Sequence, residues 1–380
     1  MTGKLRIGVV FGGQSGEHEV SLVSARAVME NLNRERYEII PIAITKQGRW
    51  LAGGDPLATL TAAADPALLP GGSGTISYPD PEAQAATRGS LGSPGSQTLV
   101  RPTQDSHTEF SLLAPDSALD VIFPVLHGPM GEDGTMQGLL EIAGIPYVGC
   151  GVLAAAVGMD KGMMKAAFAA AGLPLLPWLM IRRSELAHNA ESVIDRIEAA
   201  LSYPMFVKPA NMGSSVGISK AKDRAGLRAG LAGAAHYDRR IVIEQGISAR
   251  EIEISVLGND RIEWSVPGEI VPSNEWYDYE AKYLAGKSQV IIPAQIAPAL
   301  AARVAELAVQ AFAAIDGAGL ARVDFLLDKD TGAIYINEVN TMPGFTPISM
   351  YSQMWAASGV SYPALLDQLI ALALERHASK

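Results

Sequence analysis

The chain has 380 residues, 48% of them hydrophobic and 18% charged, a composition that fits two or three globular domains and excludes a largely disordered chain. Thirty Lys and Arg against forty Asp and Glu give a net charge of −10, which argues against nucleic acid or an anionic membrane as partner but leaves room for small anions bound locally. The single cysteine, Cys150, allows no internal disulfide. With no secretory signature and no run of about 18–20 apolar residues, a cytoplasmic protein is expected.

Leu5 to Phe11 is an apolar run that stops at Gly12-Gly13 and is followed by a helical stretch from Val20 to Leu32. The next apolar run, Tyr37 to Ile44, completes a βαβ opening. Leu51 to Pro115 carries Gly53-Gly54, Pro70 to Gly74 and Gly89 to Gly95, and is expected to be mostly loop decorating the first domain. Strand character resumes from Asp120 to Leu126 and leads into His127 to Gly134, at the strand end where open α/β sheets bind ligands. A helix over Thr135 to Ala143 and a short strand over Pro146 to Val148 follow, with a domain change expected near Gly151 to Gly158. A helix from Met159 to Ala171 ends at Gly172 with Pro174 just beyond.

The middle of the chain reads as strands Leu176 to Ile181, Met205 to Lys208 and Ile241 to Glu244, with helices Glu191 to Leu201 and Ala225 to His236 and a glycine loop, Asn211 to Gly217. From Glu251 the residues alternate in the manner of a strand, and Arg261 to Val266 adds another, so an antiparallel sheet begins. A helix from Pro298 to Ile315 and strands Ala321 to Leu327 and Ala333 to Val339 complete it.

The last two strands carry the strongest chemical signal. Asp328 to Gly332 is a turn between them, so they run antiparallel. Glu338 and Asn340, two residues apart, share a face that Asp324 can meet from the partner strand. Three oxygen ligands without His or Cys suit magnesium; a solvated sheet edge with a salt bridge from Arg322 is the plainer alternative. Asn211 to Gly217 lacks the ending of a Walker loop, yet its small residues would let backbone amides approach phosphates beside Lys208, and otherwise it is a simple hairpin. Lys165 is a second candidate cation. Glu244 and Glu251 flank a segment that could hold ribose and adenine or be an ordinary hinge. His127 suits a structural or a substrate-contacting role, and Glu17 is also a favourable helix-start residue. Trp276 to Tyr283 is a candidate lid or an anchored surface loop.

Together these motifs resemble the D-alanine:D-alanine ligases of the ATP-grasp superfamily over nearly the whole chain. The resemblance rests on Gly12 to Ser21, His127 to Gly134, Lys208 to Gly217 and Arg322 to Gly344, four signatures in the family's order. It implies a mixed α/β and α+β fold of three domains: a Rossmann-like N-terminal domain (1–152, with the insertion at about 51–115), a central ATP-grasp subdomain (153–243) and a C-terminal ATP-grasp domain (244–380, with a lid at about 272–290). It further implies an ATP-dependent joining of two D-alanines through D-alanyl phosphate, for peptidoglycan precursor synthesis, by a cytoplasmic homodimer.

By the same resemblance, Glu17 orients the first D-alanine's ammonium, and Ser214 hydrogen-bonds toward Glu17 and Tyr283. Lys165, Lys208 and Lys282 meet ATP phosphates under a loop that includes Ser215. Glu244, Gln245 and Ile247 receive adenine, and Glu251 the ribose. Asp324, Glu338 and Asn340 hold two Mg2+, for which Mn2+ can substitute, and a monovalent cation such as K+ is compatible. Arg322 and the Gly344 amide stabilise the oxyanion. His127, Tyr283, Ser349 and Met350 contact substrate. The Lys282-Tyr283 pair favours an amine over D-lactate as nucleophile, and D-serine remains open as second substrate. A different ATP-grasp carboxylate-amine ligase, a non-catalytic nucleotide binder and a structural interaction protein are the rival readings.

Overall fold

The computed structural model describes residues 3–64, 119–271 and 289–380. Most of the expected insertion and lid, including Lys282 and Tyr283, lies outside the described residues. The fold is mixed α/β with three sheets.

The first sheet begins with β1 (Leu5–Gly12), α1 (His18–Asn31) and β2 (Tyr37–Ile44), and β1 and β2 pair in parallel along their whole length. The expected loop after Leu51 instead opens with regular structure, β3 (Trp50–Ala52) and α2 (Pro56–Ala63). Two local features override the Gly-rich composition: Asp55 caps the helix by accepting from the Ala58 amide at 2.9 Å, and Pro56 occupies its first turn. β4 (Val121–Val125) pairs in parallel with β1, giving the order β3-β2-β1-β4. After α3 (Thr135–Ala143), the strand expected at Pro146 to Val148 is only an isolated bridge, Ile122 to Tyr147, because the chain passes β4 with two backbone bonds and turns away. The Gly151 to Gly158 stretch forms a helix, α4 (Val152–Met159), followed directly by α5 (Lys161–Ala170), whose start is capped by Asp160.

The second sheet is antiparallel. It comprises β5 (Trp178–Arg182), β6 (Met205–Pro209), β7 (Ser219–Ala221) and β8 (Arg240–Gln245) in the order β5-β8-β6-β7. Two helices, α6 (Arg183–Ala200) and α7 (Arg224–Tyr237), cover it through Ile194, Ile197, Leu227 and Leu231. α6 begins eight residues before the helix expected at Glu191 and bends at Asn189.

The third sheet holds β9 (Ala249–Gly258), β10 (Glu263–Trp264), β11 (Gly268–Val271), β12 (Gln289–Ile291), β13 (Gly319–Asp328) and β14 (Ile334–Asn340), with α8 (Pro298–Ala314) packed on one face. β13 is central, antiparallel to both β9 and β14. Beyond Asn340, where no element is expected from the sequence, the chain forms α9 (Met350–Ala357) and α10 (Tyr362–Ala378).

The last helix is part of the first sheet's core. Leu365, Leu366, Leu369 and Ile370 of α10 cluster with Ile7, Val9, Phe11 and Val28. Phe345 packs edge-on to Phe123 with ring centroids 5.6 Å apart. Asp367 accepts from the Tyr37 hydroxyl at 2.7 Å and pairs with Arg36 at 2.5 Å. Burial, and then that bond to Asp367, pushes the Tyr37 phenol up to about 12. Among the described residues no single helix is long and apolar enough to cross a membrane; the bent pair α9 and α10 passes on length and composition, and its apolar residues lie largely in this core.

Replacing Leu366, fully buried in α10, by Ala should destabilise the protein by about 2–5 kcal/mol through lost transfer energy and the cavity left behind. A urea titration reporting on Trp50, in the first sheet, should show the lower midpoint. An unchanged Trp50 transition would mean that α10 does not support that sheet.

Candidate active site

The loops expected to carry chemistry meet around Glu17. This residue begins α1 at the end of β1, and only 8% of its surface is exposed. Ser214, in the glycine loop after β6, donates its Oγ hydrogen to Glu17 Oε1. Two glycines let the backbone close on the same carboxylate: a Cβ at Gly128 would lie 2.8 Å from Glu17 Oε2, and one at Gly213 would lie 2.9 Å from it. Ser214 and Ser215 both adopt left-handed backbone conformations, φ +47° and +60°, a strained arrangement for residues with side chains and one that gathers at ligand-binding loops. Lys161 of α5 anchors the loop by donating from Nζ to the Met212 carbonyl at 2.7 Å.

His127 is buried, with Nε2 3.3 Å from Ser24 Oγ and Nδ1 3.2 Å from the Met342 carbonyl. Burial lowers its pKa, although the Glu17 charge opposes the shift. The ring is therefore neutral near pH 7 and ties the loop after β4 to the segment after β14.

Lys165 of α5 and Lys208 of β6 converge on one carboxylate. Glu244 of β8 lies 3.3 Å from Lys165 Nζ through Oε1 and 3.1 Å from Lys208 Nζ through Oε2. Lys165 is 1% exposed, far from the solvated state usual for a lysine on a helix. Burial lowers its pKa and Lys208 adds to that, while Glu244 opposes both. For Glu244 burial alone would raise the pKa, but the two ammonium groups outweigh it and hold the carboxyl below 4.5. Gln245, which ends β8, and Ile247 just after it are half-buried; the Gln245 backbone amide donates to the Pro177 carbonyl at 2.9 Å. Glu251, also half-buried, stands on β9 opposite Leu326 of β13 and Ile270 of β11.

On the third sheet the register sets Asp324 directly opposite Glu338, and Arg322 opposite Asn340. Directly opposed residues share a face, as do residues two apart, so all four project together, and Glu253 of β9 joins them opposite Asp324. The bland pairing expected for Arg322 is present: its guanidinium grips Asp324 with two bonds, Nε to Oδ1 and Nη2 to Oδ2, each 2.7 Å. Glu253 Oε2 lies 3.0 Å from Arg322 Nε. Burial works against the charge on Arg322, but Asp324 and Glu253 more than offset it and hold the group fully protonated. Asn340 Oδ1 accepts from the Met342 amide at 3.1 Å.

Gly344 and Ser349 are neighbours, since a Cβ at 344 would lie 3.3 Å from Ser349 Oγ, and that hydroxyl accepts from the Thr346 amide at 3.0 Å. Met350, by contrast, packs into an apolar cluster with Ile270, Met354 and Ile292. A cavity of about 320 Å³ lies along the first two loops, lined by Gly13, Gln14, Trp50, Leu126, His127 and Met136.

Two site residues were not foreseen as such. Glu132 accepts from the Gly128 amide at 2.6 Å; burial raises its pKa, and the charges of Glu17 and Glu338 raise it further against that amide bond. Its place within a glycine-rich strand-end loop was the available signal. Glu253 is 3% exposed, and its two-residue spacing from Glu251 and Ser255 put it on the polar face of β9.

An antiparallel four-stranded sheet and a larger antiparallel sheet stand on either side of α5, which pairs with Glu244 of the one through Lys165 and receives the Val339 amide of the other at Met164 Sδ, 3.2 Å. This is the arrangement of an ATP-grasp protein. Family models described as D-ala D-ala ligase N-terminus and C-terminus match residues 6–150 and 167–371, so the chain belongs to the D-alanine–D-alanine ligase family. It is 50% identical over 377 residues to the D-alanine--D-alanine ligase of Heliobacterium modesticaldum, covering 99% of this chain and 96% of that one, and 49% identical to that of Bacillus cytotoxicus, covering 99% and 98%. Among solved structures, the Coxiella burnetii D-alanine-D-alanine ligase superposes with a TM-score of 0.74 at 32% identity (99% and 95% covered). The VanG D-Ala:D-Ser ligase of Enterococcus faecalis gives 0.76 at 35% identity (98% and 100% covered).

Glu244→Gln should test the lysine clasp. Because folding holds the Glu244 carboxyl below 4.5, its contribution is complete above that pH and is lost as pH falls through the lower folded value. At pH 7 the variant should be less stable by about 3–5 kcal/mol, the usual cost of breaking a buried pair. In denaturant titrations the gap from the parent should narrow as the pH is lowered below 4; a gap constant with pH would contradict the ionised clasp.

Proposed function

We propose that this protein is a D-alanine:D-alanine ligase, joining two D-alanines at the expense of ATP for peptidoglycan precursor synthesis. The observation that carries this reading is the Glu17 carboxylate, grasped by Ser214 and enclosed by Gly128 and Gly213, within a chain of this family. A buried anion held at the meeting of two loops suits the ammonium of an amino acid. Glu17 therefore orients the first D-alanine and transfers no proton.

The face formed by Asp324, Glu338 and Asn340 offers only hard oxygen ligands, and a guanidinium already neutralises part of it. That donor set fits Mg2+ or Mn2+. Bound there, the ions would neutralise phosphate charge during phosphoryl transfer. Lys165 and Lys208, both paired with Glu244, face the nucleotide phosphates, and the loop with Ser215 covers them. Gln245, Ile247 and Glu251 border the adenosine. The first substrate's carboxylate attacks the γ-phosphate and displaces ADP, giving D-alanyl phosphate. The second D-alanine's amine, deprotonated, then attacks the acyl carbon, with Arg322 and the Gly344 amide donating to the developing oxyanion before its collapse expels inorganic phosphate and leaves the peptide bond. His127 and Ser349 orient the substrates; the roles of Lys282 and Tyr283, outside the described residues, rest on the family resemblance alone. Met350 shapes the second subsite from its apolar cluster.

The three-domain division at 152/153 and 243/244, with a Rossmann-like first domain, is supported by the three sheets, although α10 returns to the first. Assembly as a homodimer, a cytoplasmic location and K+ compatibility belong to the same reading. The two curated relatives named above are both D-alanine--D-alanine ligases, whereas the VanG structure keeps D-serine as the second reading.

An ADP-release assay with mass detection distinguishes them. D-alanine alone should support turnover and yield the dipeptide, and L-alanine should not. Turnover that requires D-serine would favour the second reading, and ADP release with no amino acid would reject both. Arg322→Ala should lower kcat by about a hundred- to a thousandfold, the usual effect of losing an oxyanion donor. Glu338→Gln should nearly abolish turnover while leaving the fold intact, and unchanged activity would refute the role given to this face.

A further inference from the structure

Arg322 faces two demands. It is bound to Asp324 through Nε and Nη2, yet the proposed reaction needs Asp324 for a metal ion and Arg322 for an oxyanion. A carboxylate that turns its oxygens to a divalent cation cannot keep a two-bond grip on a guanidinium, and a buried guanidinium that loses its partner is costly unless a second anion takes it over. Glu253 is placed to be that anion. It is 3% exposed, it stands on β9 in direct register with Asp324, and its Oε2 already lies 3.0 Å from Arg322 Nε.

We infer that Glu253 is a positioning residue that holds the Arg322 guanidinium on the sheet face when a divalent cation engages Asp324, leaving the Nη groups to point at the reacting carbonyl. The inference rests on the proposed ligase reaction and metal face. It gives Glu253 no contact with substrate: the residue acts through Arg322. Without it, Asp324 is the remaining carboxylate that Arg322 pairs with among the described residues, and so Arg322 competes with the cation for it.

Two measurements separate this role from general electrostatics. Mn2+ is titrated by electron paramagnetic resonance in the presence of ADP, with no turnover, and steady-state kinetics are run in parallel. Glu253→Gln should weaken Mn2+ binding about tenfold and lower kcat at least tenfold, with the KM values for ATP and D-alanine within threefold of the parent. In an Arg322→Ala background the same substitution should change Mn2+ affinity by less than twofold. An equal loss with and without Arg322 would overturn the inference, as would an unaltered kcat. Glu253→Asp keeps the charge and serves if the Gln variant does not fold: it should retain Mn2+ affinity but lose kcat, because the shorter side chain holds the guanidinium out of place, and full activity would overturn the proposal. Glu338→Gln is the control for the underlying reading. If that variant leaves Mn2+ binding unaffected, the metal face itself is wrong; if it abolishes binding while Glu253→Gln changes nothing, only the role of Glu253 fails.

Discussion

Two lysine ammonium groups share one buried carboxylate, and the architecture is organised around that arrangement. Lys165 comes from α5, Lys208 from β6 and Glu244 from β8. Bringing two like charges to one site in a dry interior is unfavourable unless an anion lies between them. Glu244 supplies it, one carboxylate oxygen facing each ammonium group. The second sheet and α5 are thereby locked together, and α5 in turn receives the Val339 amide from β14. An anionic ligand entering here meets cations already oriented, so little reorganisation is left to be done on binding.

The same reasoning shows which parts of the molecule could be read from its sequence. β2 runs from Tyr37 to Ile44, as the apolar run predicts, and α3 from Thr135 to Ala143, because both are bounded by strong local signals. The Asp324 and Glu338 pairing was also legible: a turn fixes the strand order, and strand alternation fixes the face. Asp328 to Gly332 lies within a few residues of both strands, so the relation is local.

What was not legible depends on contacts distant in sequence. α10 gives no hint that it completes the core of a sheet formed more than 300 positions earlier, where Asp367 meets Tyr37. Lys165 looks like any helical lysine until Glu244, far along the chain, closes over it. Glu253 and Glu132 are hidden in the sequence for a related reason: a carboxylate in a strand or a glycine loop is ordinarily solvated, and only tertiary packing buries it. The β3 and α2 pair was hidden differently, since an Asp-Pro helix start outweighed the glycines around it.

A charge balance on the third sheet joins these observations. Glu253, Asp324 and Glu338 bring three carboxylates to one face, and Arg322 brings one guanidinium. Asn340 is neutral. Nearby Glu132 registers part of that negative charge: burial first, then the charge of Glu17 and, to a smaller extent, that of Glu338 raise its pKa. A nucleotide's phosphates would deepen that excess if they arrived alone, and Coulomb repulsion in a partly buried cleft is weakly screened. The two lysines stand on α5 and β6, and Glu244 already offsets one of their charges. On the proposed reading, such a face would favour a nucleotide that arrives with its cations over one that arrives bare, and the proposed second partner for Arg322 is what would let the guanidinium remain in place once those cations come.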